Sequence, residues 1–197
     1  MNEQFDLSQY KPEIRTLFQL KEVLYDQEWL KNAENFDVYY MYRNLKIENG
    51  IKYNITVLLP RMLGKEFPKT KGHVHIGNYQ EIYLVLEGEA IYLMQKFNGD
   101  IVEDVYAVKA SKNQAVIIPP GYGHITINPG SSILKTADWS SVNCKSDYSW
   151  FKEKGGACYF YTTEGWIKNP NYKTIPALRF EKPLDSMPPN LDFLKRV

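Results

Sequence analysis

The sequence has 197 residues, of which 44% are hydrophobic and 24% are charged. This length and composition are typical of one globular domain with a sizeable core, and they argue against a disordered chain, collagen or a coiled coil. Twenty-four basic and 23 acidic side chains give a formal net charge of +1. Because the chain has no strong field of either sign, we expect neither nucleic acid nor a membrane surface as a partner.

The N-terminal sequence MNEQFDLSQYKPEIR has no basic segment followed by an apolar one. No stretch approaches the run of about 18 apolar residues that indicates a membrane-spanning helix. Cys144 and Cys158 are the only two cysteines, which is too few for a disulfide framework. These features favour a cytoplasmic protein with two reduced thiols, and a single disulfide is the alternative.

The first elements are an arm and a short helix. Residues 1–20 have few periodic apolar positions, so we expect an arm that lies over the surface or over a partner. The stretch DQEWLKNA begins at Asp26 with an N-cap residue and continues with good helix formers, which predicts a short helix before Phe36.

Eight segments rich in Val, Ile, Tyr and Thr follow, and turn signals such as Asn-Gly and Pro-Pro-Gly separate most of them. They are VYYMYRNLKI, IKYNITVLLP, EIYLVLEG, AIYLMQKF, AVIIPPG, HITINPG, SILKTADW and ACYFYTTEGW. Many short strands at close spacing indicate an all-β sandwich or a closed barrel.

No repeat or linker divides the chain, so we predict one domain over residues 1–197 with its barrel core at roughly 50–165. Five of the 11 prolines follow Trp166. Proline removes a backbone donor and fixes φ, so residues 167–197 are expected to form an irregular tail that wraps an existing surface.

All three histidines fall within two short motifs. His73 and His75 are two residues apart in an extended segment, so their imidazoles project from one face of a strand. Glu81 follows a short Gly-Asn turn and begins EIYLVLEG, which we expect to lie beside the histidine strand. His124 follows Pro-Pro-Gly-Tyr-Gly and begins another strand. We therefore predict that these four side chains hold one divalent metal ion.

Three imidazoles and one carboxylate suit Fe2+, Ni2+, Mn2+, Co2+ or Zn2+, and Fe2+ is our first expectation. An octahedral ion would keep two positions open for substrate oxygens. A single histidine is more often a surface or core residue than a ligand. A metal-free barrel that retains these residues is therefore the alternative.

The two motifs resemble those of the cupin family. Residues 72–88 read G-H-x-H-x5-E-x6-G, and residues 120–128 read PGYGHITIN. The resemblance implies the cupin fold, a double-stranded β-helix or jelly-roll barrel, here with a short N-terminal helix and an irregular C-terminal tail. The segments TVLLP, GKEF and TKGHVH, with a tyrosine two residues after Glu81, are similar to cupin-type glucose-6-phosphate isomerases best known from archaea.

This resemblance assigns roles by position. The metal ligands of the family correspond to the four residues of the predicted metal site. Hydroxyls and unhindered glycine N–H groups suit a sugar phosphate. The matching positions are Thr56, Gly64, Thr70, Gly72 and Tyr83. Each of these residues also has an ordinary structural interpretation, in a turn, a strand or the core.

The chain departs from the family pattern after Trp139. The family has a His-Asp-Tyr cluster soon after an aromatic residue, whereas this chain has the longer SSVNCKSDY, which contains no histidine. Tyr148 matches the family tyrosine. Lys145 could supply a donor in this segment, or it could be a solvated lysine.

The resemblance implies an aldose–ketose isomerase that interconverts glucose 6-phosphate and fructose 6-phosphate in glycolysis or gluconeogenesis. Glu81 is the candidate base and Tyr148 the candidate relay for hydroxyl protons. A hydride shift, in which Glu81 is only a ligand, stays open. The alternatives are a cupin dioxygenase that uses Fe2+ and O2, and a non-catalytic sugar-binding cupin. Such cupins usually pair through their sheets, which implies a homodimer.

Overall fold

The computed structural model describes residues 5–195, which are mostly β-structure. Three helices of four or five residues are α1 (Leu17–Leu20), α2 (Gln27–Leu30) and α3 (Ser149–Glu153). Short 3-10 turns lie at Leu7–Gln9, Lys21–Val23 and Asp192–Lys195. The strands in chain order are β1 (Glu13–Thr16), β2 (Asp37–Glu48), β3 (Ile51–Leu58), β4 (Val74–Ile76), β5 (Glu81–Glu87), β6 (Glu89–Asn98), β7 (Ile101–Ser111), β8 (Ala115–Ile118), β9 (Gly123–Ile127), β10 (Leu134–Ser141), β11 (Lys145–Asp147), β12 (Tyr159–Thr162), β13 (Gly165–Lys168) and β14 (Arg179–Glu181).

These strands form two main sheets. The first has the order β1-β2-β3-β10-β5-β8, and the second has the order β14-β7-β6-β9. Backbone bridges from Lys69 to Ile127 and from His73 to His124 place the chain before β4 along the edge of β9, and β4 itself pairs with β11. Apart from the parallel pair β14–β7, the strand pairs are antiparallel. This arrangement confirms the predicted cupin jelly roll.

The core lies between the two sheets. Val85 of the first sheet and Tyr92, Met94 and Ile125 of the second belong to one cluster of buried side chains. Burial of each large apolar side chain contributes about 1.5–3 kcal/mol, so this cluster holds the sheets face to face. The polar site described below occupies one end of the same interior.

The predicted helix is confirmed as α2. The Asp26 side chain accepts a hydrogen bond of 3.1 Å from the Trp29 backbone N–H, which is the expected N-cap. The expectation of a surface arm over residues 1–20 is wrong for its last part, since β1 pairs with β2 and the side chains of Leu17 and Leu20 are fully buried. Residues 1–4 of that arm lie outside the described residues.

The barrel begins earlier in the chain than the predicted core at 50–165, because β1 and β2 belong to the first sheet. Strand β7 lies within the expected core, although its sequence was not among the predicted segments. The last predicted segment, ACYFYTTEGW, is a hairpin of β12 and β13. The tail is largely irregular, with β14 as one short strand, and residues 196–197 lie outside the described part. The assignment of a single domain stays a prediction.

Both cysteines are free thiols with buried side chains, so the alternative of a disulfide is excluded. Among residues 5–195, no helix has the length and apolar character needed to cross a bilayer.

Candidate metal centre

The four predicted ligands converge from both sides of the barrel. His73 and His124 are joined by two backbone hydrogen bonds, in which each N–H donates to the other's carbonyl oxygen at 3.2 and 3.0 Å. His75 lies in β4, and Glu81 is the first residue of β5. The expectation that the glutamate strand pairs with the histidine strand is wrong, because the hydrogen-bonded partner of β4 is β11. Glu81 instead reaches the histidines from the opposite sheet.

The side-chain geometry is that of a compact ligand set. One donor atom from each of the four residues lies within 4.8 Å of all the others. The Oε2 atom of Glu81 lies 3.3 Å from Nε2 of His75 and 3.1 Å from Nε2 of His124. The Nε2 atoms of His73 and His75 are 3.2 Å apart. The cluster is buried, with 5% of Glu81 and 2% of His124 exposed.

The surroundings of the cluster fit a cation. Oε2 of Glu81 is a buried atom without a hydrogen-bond partner, an arrangement that folded proteins generally avoid. Nδ1 of His75 lies 3.2 Å from the carbonyl oxygen of Tyr79, so a proton on Nδ1 would leave the Nε2 lone pair directed at the cluster. Three imidazole nitrogens and a carboxylate oxygen are the ligand types that divalent transition metals prefer.

At three of the four positions, the surroundings favour the protonation state that a metal ligand needs, which is neutral for histidine and ionised for glutamate. Burial, together with the charge of His124, holds the pKa of His73 well below its usual value, and burial lowers the pKa of His124. Burial opposes ionisation of Glu81, but its interactions with His124 and His75 outweigh it and keep the pKa of Glu81 well below its ordinary range.

His75 differs from the other two histidines. Burial disfavours its charged form, but interactions with Cys144 and Glu81 prevail and raise the pKa of His75 to about 10. Because a metal ligand must be neutral imidazole, metal binding at His75 is expected to release a proton.

Most residues assigned to the sugar phosphate line the pocket above the ligands. They are Thr56, Thr70, Gly72 and Tyr83. The Tyr83 hydroxyl lies 3.3 Å from Nε2 of His124. The Thr70 hydroxyl oxygen accepts a hydrogen bond of 2.9 Å from the backbone N–H of Thr126, which ties the approach to β4 onto β9.

Gly64 does not line this pocket. It adopts a left-handed conformation with φ of 68°, and a Cβ at this position would lie 2.6 Å from Oδ2 of Asp26. A tight turn against the N-cap of α2 therefore accounts for glycine here, and the assignment of Gly64 to the phosphate stays a prediction.

The segment that departs from the family pattern reaches the site as a strand. Ser146 of β11 pairs with His75 of β4, and the next turn brings the ring of Tyr148 to 5.5 Å from the ring of His73, measured between centroids. Lys145 is exposed and does not line the pocket, in agreement with a solvated lysine.

Further polar residues of the pocket were not identified from the sequence. On the inner face of the first sheet, Asp138 is paired across the strands with Asn54 on one side and Tyr83 on the other. Burial and the charge of Glu81 raise the pKa of Asp138 to about 8. The sequence feature that could have identified them is the alternation of polar residues in LKTADWSS, which places Thr136, Asp138 and Ser140 on one face of the strand.

Cationic side chains also reach this pocket, which is lined by Arg43, Lys52 and Lys71. Arg43 is in an ion pair with Glu13 at 3.2 Å, and its guanidinium interacts with the Tyr148 hydroxyl. The pocket therefore combines a buried ligand cluster with hydroxyl, amide and cationic groups. This combination suits a small, anionic, hydroxyl-rich molecule.

Comparison with known proteins agrees with this chemistry. The family model described as Glucose-6-phosphate isomerase (GPI) matches residues 14–177. The glucose-6-phosphate isomerase of Pyrococcus horikoshii is 29% identical over 81% of this chain and 87% of its own. That of Thermococcus litoralis is 30% identical over 74% of this chain and 77% of its own. A solved oxalate oxidase in complex with the substrate analogue glycolate is 17% identical with a TM-score of 0.45, over 56% of this chain and 54% of that one, which is too distant to support an inference. The chain belongs to the glucose-6-phosphate isomerase family.

Proposed function

We propose that the protein is a metal-dependent glucose-6-phosphate isomerase that interconverts glucose 6-phosphate and fructose 6-phosphate. The observation that carries this proposal is the buried cluster of His73, His75, Glu81 and His124, which lies in a polar pocket of a chain from this family. The cluster would hold one divalent ion, with Fe2+ ahead of Ni2+, Mn2+, Co2+ and Zn2+. When bound, the ion supplies Lewis-acid polarisation of the sugar carbonyl.

The pocket supports binding of a sugar phosphate. The hydroxyls of Thr56 and Thr70 and the backbone N–H of Gly72 are the proposed phosphate contacts. Lys71 and Arg43 line the same wall and would offset the dianionic charge. Tyr83, beside His124, would contact the sugar close to the reacting carbons.

Glu81 is the proposed base. In the direction of fructose 6-phosphate it would take the proton from C2 and return it to C1, while one proton leaves the oxygen on C2 and another reaches the oxygen on C1. Tyr148, next to His73, would relay these hydroxyl protons.

The test is the conversion of fructose 6-phosphate to glucose 6-phosphate, coupled to a glucose-6-phosphate dehydrogenase. It is run before chelation, after chelation, and with each candidate ion restored, with and without O2. We expect turnover that depends on the ion and is independent of O2. Oxygen-dependent turnover would indicate a dioxygenase. If a folded protein binds metal and sugar phosphate without product, the protein is a binding cupin and the proposal is wrong.

The role of Glu81 is tested separately with Glu81→Gln and with solvent deuterium. Proton transfer by Glu81 predicts deuterium in the product of the wild-type reaction and a large loss of kcat in the variant that still retains metal. The absence of deuterium from wild-type product would favour the hydride shift and leave Glu81 as a ligand alone.

We also propose a homodimer in the cytoplasm. The β1 edge of the first sheet carries exposed apolar side chains at Ile14 and, just beyond it, Phe18, a surface suited to a second copy. Light scattering at micromolar concentration should give the mass of two chains, and a monomeric mass would contradict the proposal. The two free thiols are in keeping with a reducing compartment, and fractionation of cells tests the location.

A further inference from the structure

The strand that borders the pocket is interrupted by a β-bulge. Pairing of β2 with β3 changes register between Tyr42 and Lys46, and Asn44 within this bulge is left-handed with φ of 55°. The backbone N–H of Asn44 donates a hydrogen bond of 2.8 Å to Oδ1 of Asn54 on β3. Bulges beside functional sites commonly redirect groups of the chain. Here the bulge fixes the orientation of the Asn54 amide.

The Asn54 amide in turn holds Asp138. Nδ2 of Asn54 donates a hydrogen bond of 2.6 Å to Oδ2 of Asp138 on β10. Both residues are only 6% exposed, and both line the pocket that contains the metal-ligand cluster. Two successive hydrogen bonds, from Asn44 to Asn54 and from Asn54 to Asp138, therefore set the position of one carboxyl group on the pocket wall.

This carboxyl group is costly for the fold. A buried carboxyl loses its hydration, and one hydrogen bond from a neutral amide does not replace it. Within residues 5–195, the structure gives Asp138 no ion pair that would compensate. The charge of Arg43 favours the ionised carboxyl group, but burial and the like charge of Glu81 outweigh it. Such an arrangement on a pocket wall indicates a group retained for a ligand and not for stability.

The position of Asp138 relative to Glu81 indicates which ligand atoms it meets. Glu81 pairs across β10 with Ser140, and Asp138 occupies the next inward-facing position along the same strand, about 6.8 Å further on in backbone spacing, where its carboxyl group still interacts with that of Glu81. If Glu81 acts at C1 and C2, the neighbouring row faces the carbons that follow. A carboxyl group there can accept a hydrogen bond from a hydroxyl, which is the group those carbons carry.

We infer that Asp138, positioned by Asn54, binds the hydroxyl on C3 or C4 of an open-chain sugar phosphate and thereby selects for polyhydroxylated substrates. This inference rests on the proposed function for its numbering of carbons. Asp138 is a ligand-contacting residue, and Asn54 is a positioning residue that acts through it. The bulge at Asn44 is the structural origin of the arrangement.

The experiment measures binding without turnover. Glucitol 6-phosphate has no carbonyl to isomerise, so its Kd can be determined by calorimetry on the metal-loaded protein. We expect Asp138→Ala to weaken binding about 3- to 10-fold, as for loss of a hydrogen bond between neutral groups, and Asn54→Ala to weaken it less. Lys135→Ala, on the outer face of the same strand, is the matched control and should leave the Kd unchanged.

Deoxy ligands identify the contact. The loss of affinity caused by Asp138→Ala should disappear with one of two ligands, 3-deoxy- or 4-deoxyglucitol 6-phosphate, and persist with the other. The ligand with which it disappears is the one that lacks the hydroxyl bound by Asp138. An equal loss with both deoxy ligands would mean that Asp138 acts only by orienting Glu81 or by supporting the fold, and it would overturn the inference. So would an unchanged Kd in Asp138→Ala, or a wild-type protein that does not bind the polyol. Asp138→Asn, which keeps the shape and the Asn54 contact, guards against a folding defect.

Turnover separates this inference from the proposed function. With fructose 6-phosphate, Asp138→Ala should raise KM much more than it lowers kcat, since the contact is made in both bound substrate and transition state. Wild-type protein that binds the polyol through Asp138 but never isomerises would refute the isomerase and retain the hydroxyl contact. Isomerisation with an identical KM in wild type and Asp138→Ala would support the isomerase and refute the hydroxyl contact.

Discussion

Replacing Gly72 by alanine should destabilise the barrel beside the metal site. Gly72 is left-handed with φ of 86°, and a Cβ there would lie 2.6 Å from Cγ2 of Ile125 and 2.8 Å from Cδ1 of Phe151. Both neighbours are buried in the core and cannot swing into solvent. The strained backbone costs about 1–2 kcal/mol and the overpacking about 1–3 kcal/mol, so we expect the free energy of unfolding to fall by about 2–5 kcal/mol.

Gly50 provides the matched control, because its φ is 77° and a Cβ there would meet nothing within 4 Å. Gly50→Ala should therefore show only the backbone cost. Urea unfolding of wild type and both variants, each with and without metal, gives the two free-energy differences. Equal losses in Gly50→Ala and Gly72→Ala would refute the steric part of the reasoning. A larger loss in Gly72→Ala would show that close packing, independent of any phosphate contact, requires glycine at this position.

Three further outcomes follow from the charges. Lys69→Met removes a donor that reaches the Val23 carbonyl at 2.6 Å and leaves Glu66 buried without its cation. The free energy of unfolding should therefore fall by about 3–5 kcal/mol. A loss below about 1 kcal/mol would contradict this account. Hydrogen bonding to Arg179 lowers the pKa of Asp104 to about 2, below its value in the unfolded chain. The resulting stabilisation is complete above about pH 4 and is lost as the pH falls towards 2. Asp104→Asn should therefore reduce the loss of stability between about pH 4 and pH 2 and leave the rest of the stability–pH curve unchanged in shape. Chelation should lower the melting temperature, because an ion at 100 times its Kd contributes about 2.7 kcal/mol; equal melting with and without chelator would argue against a bound ion.

The metal ligands could be predicted because their signal is local. Two histidines two residues apart share a strand face, and the turns before Glu81 and His124 begin new strands. The pairing of those strands could not be predicted. Glu81 meets the histidines from the opposite sheet, and the partner of β4 is a three-residue strand about 70 residues later, whose sequence KSD has no β-propensity of its own.

Asp138 was missed for a different reason. A charged residue within a strand is usually solvated, and the sequence alone does not show which face of β10 points into the barrel. The preceding leucine and alanine suggest burial on both faces, so the polar row at Thr136, Asp138 and Ser140 has no distinct pattern until its neighbours in β3 and β5 are known. Gly64 shows a different limit, because the turn against Asp26 is by itself a sufficient reason for glycine at a position to which the resemblance assigns a chemical role.

The strict alternation along β10 also has an evolutionary consequence. Ala137 and Trp139 face outward and pack on the outer surface of the sheet, while Asp138 between them faces the pocket. A mutation at an inward position can therefore change the shape and polarity offered to a ligand without disturbing the layer that covers the sheet outside. The substrate specificity of such a barrel can therefore change through single substitutions at inward positions while the fold and the metal-ligand residues stay the same.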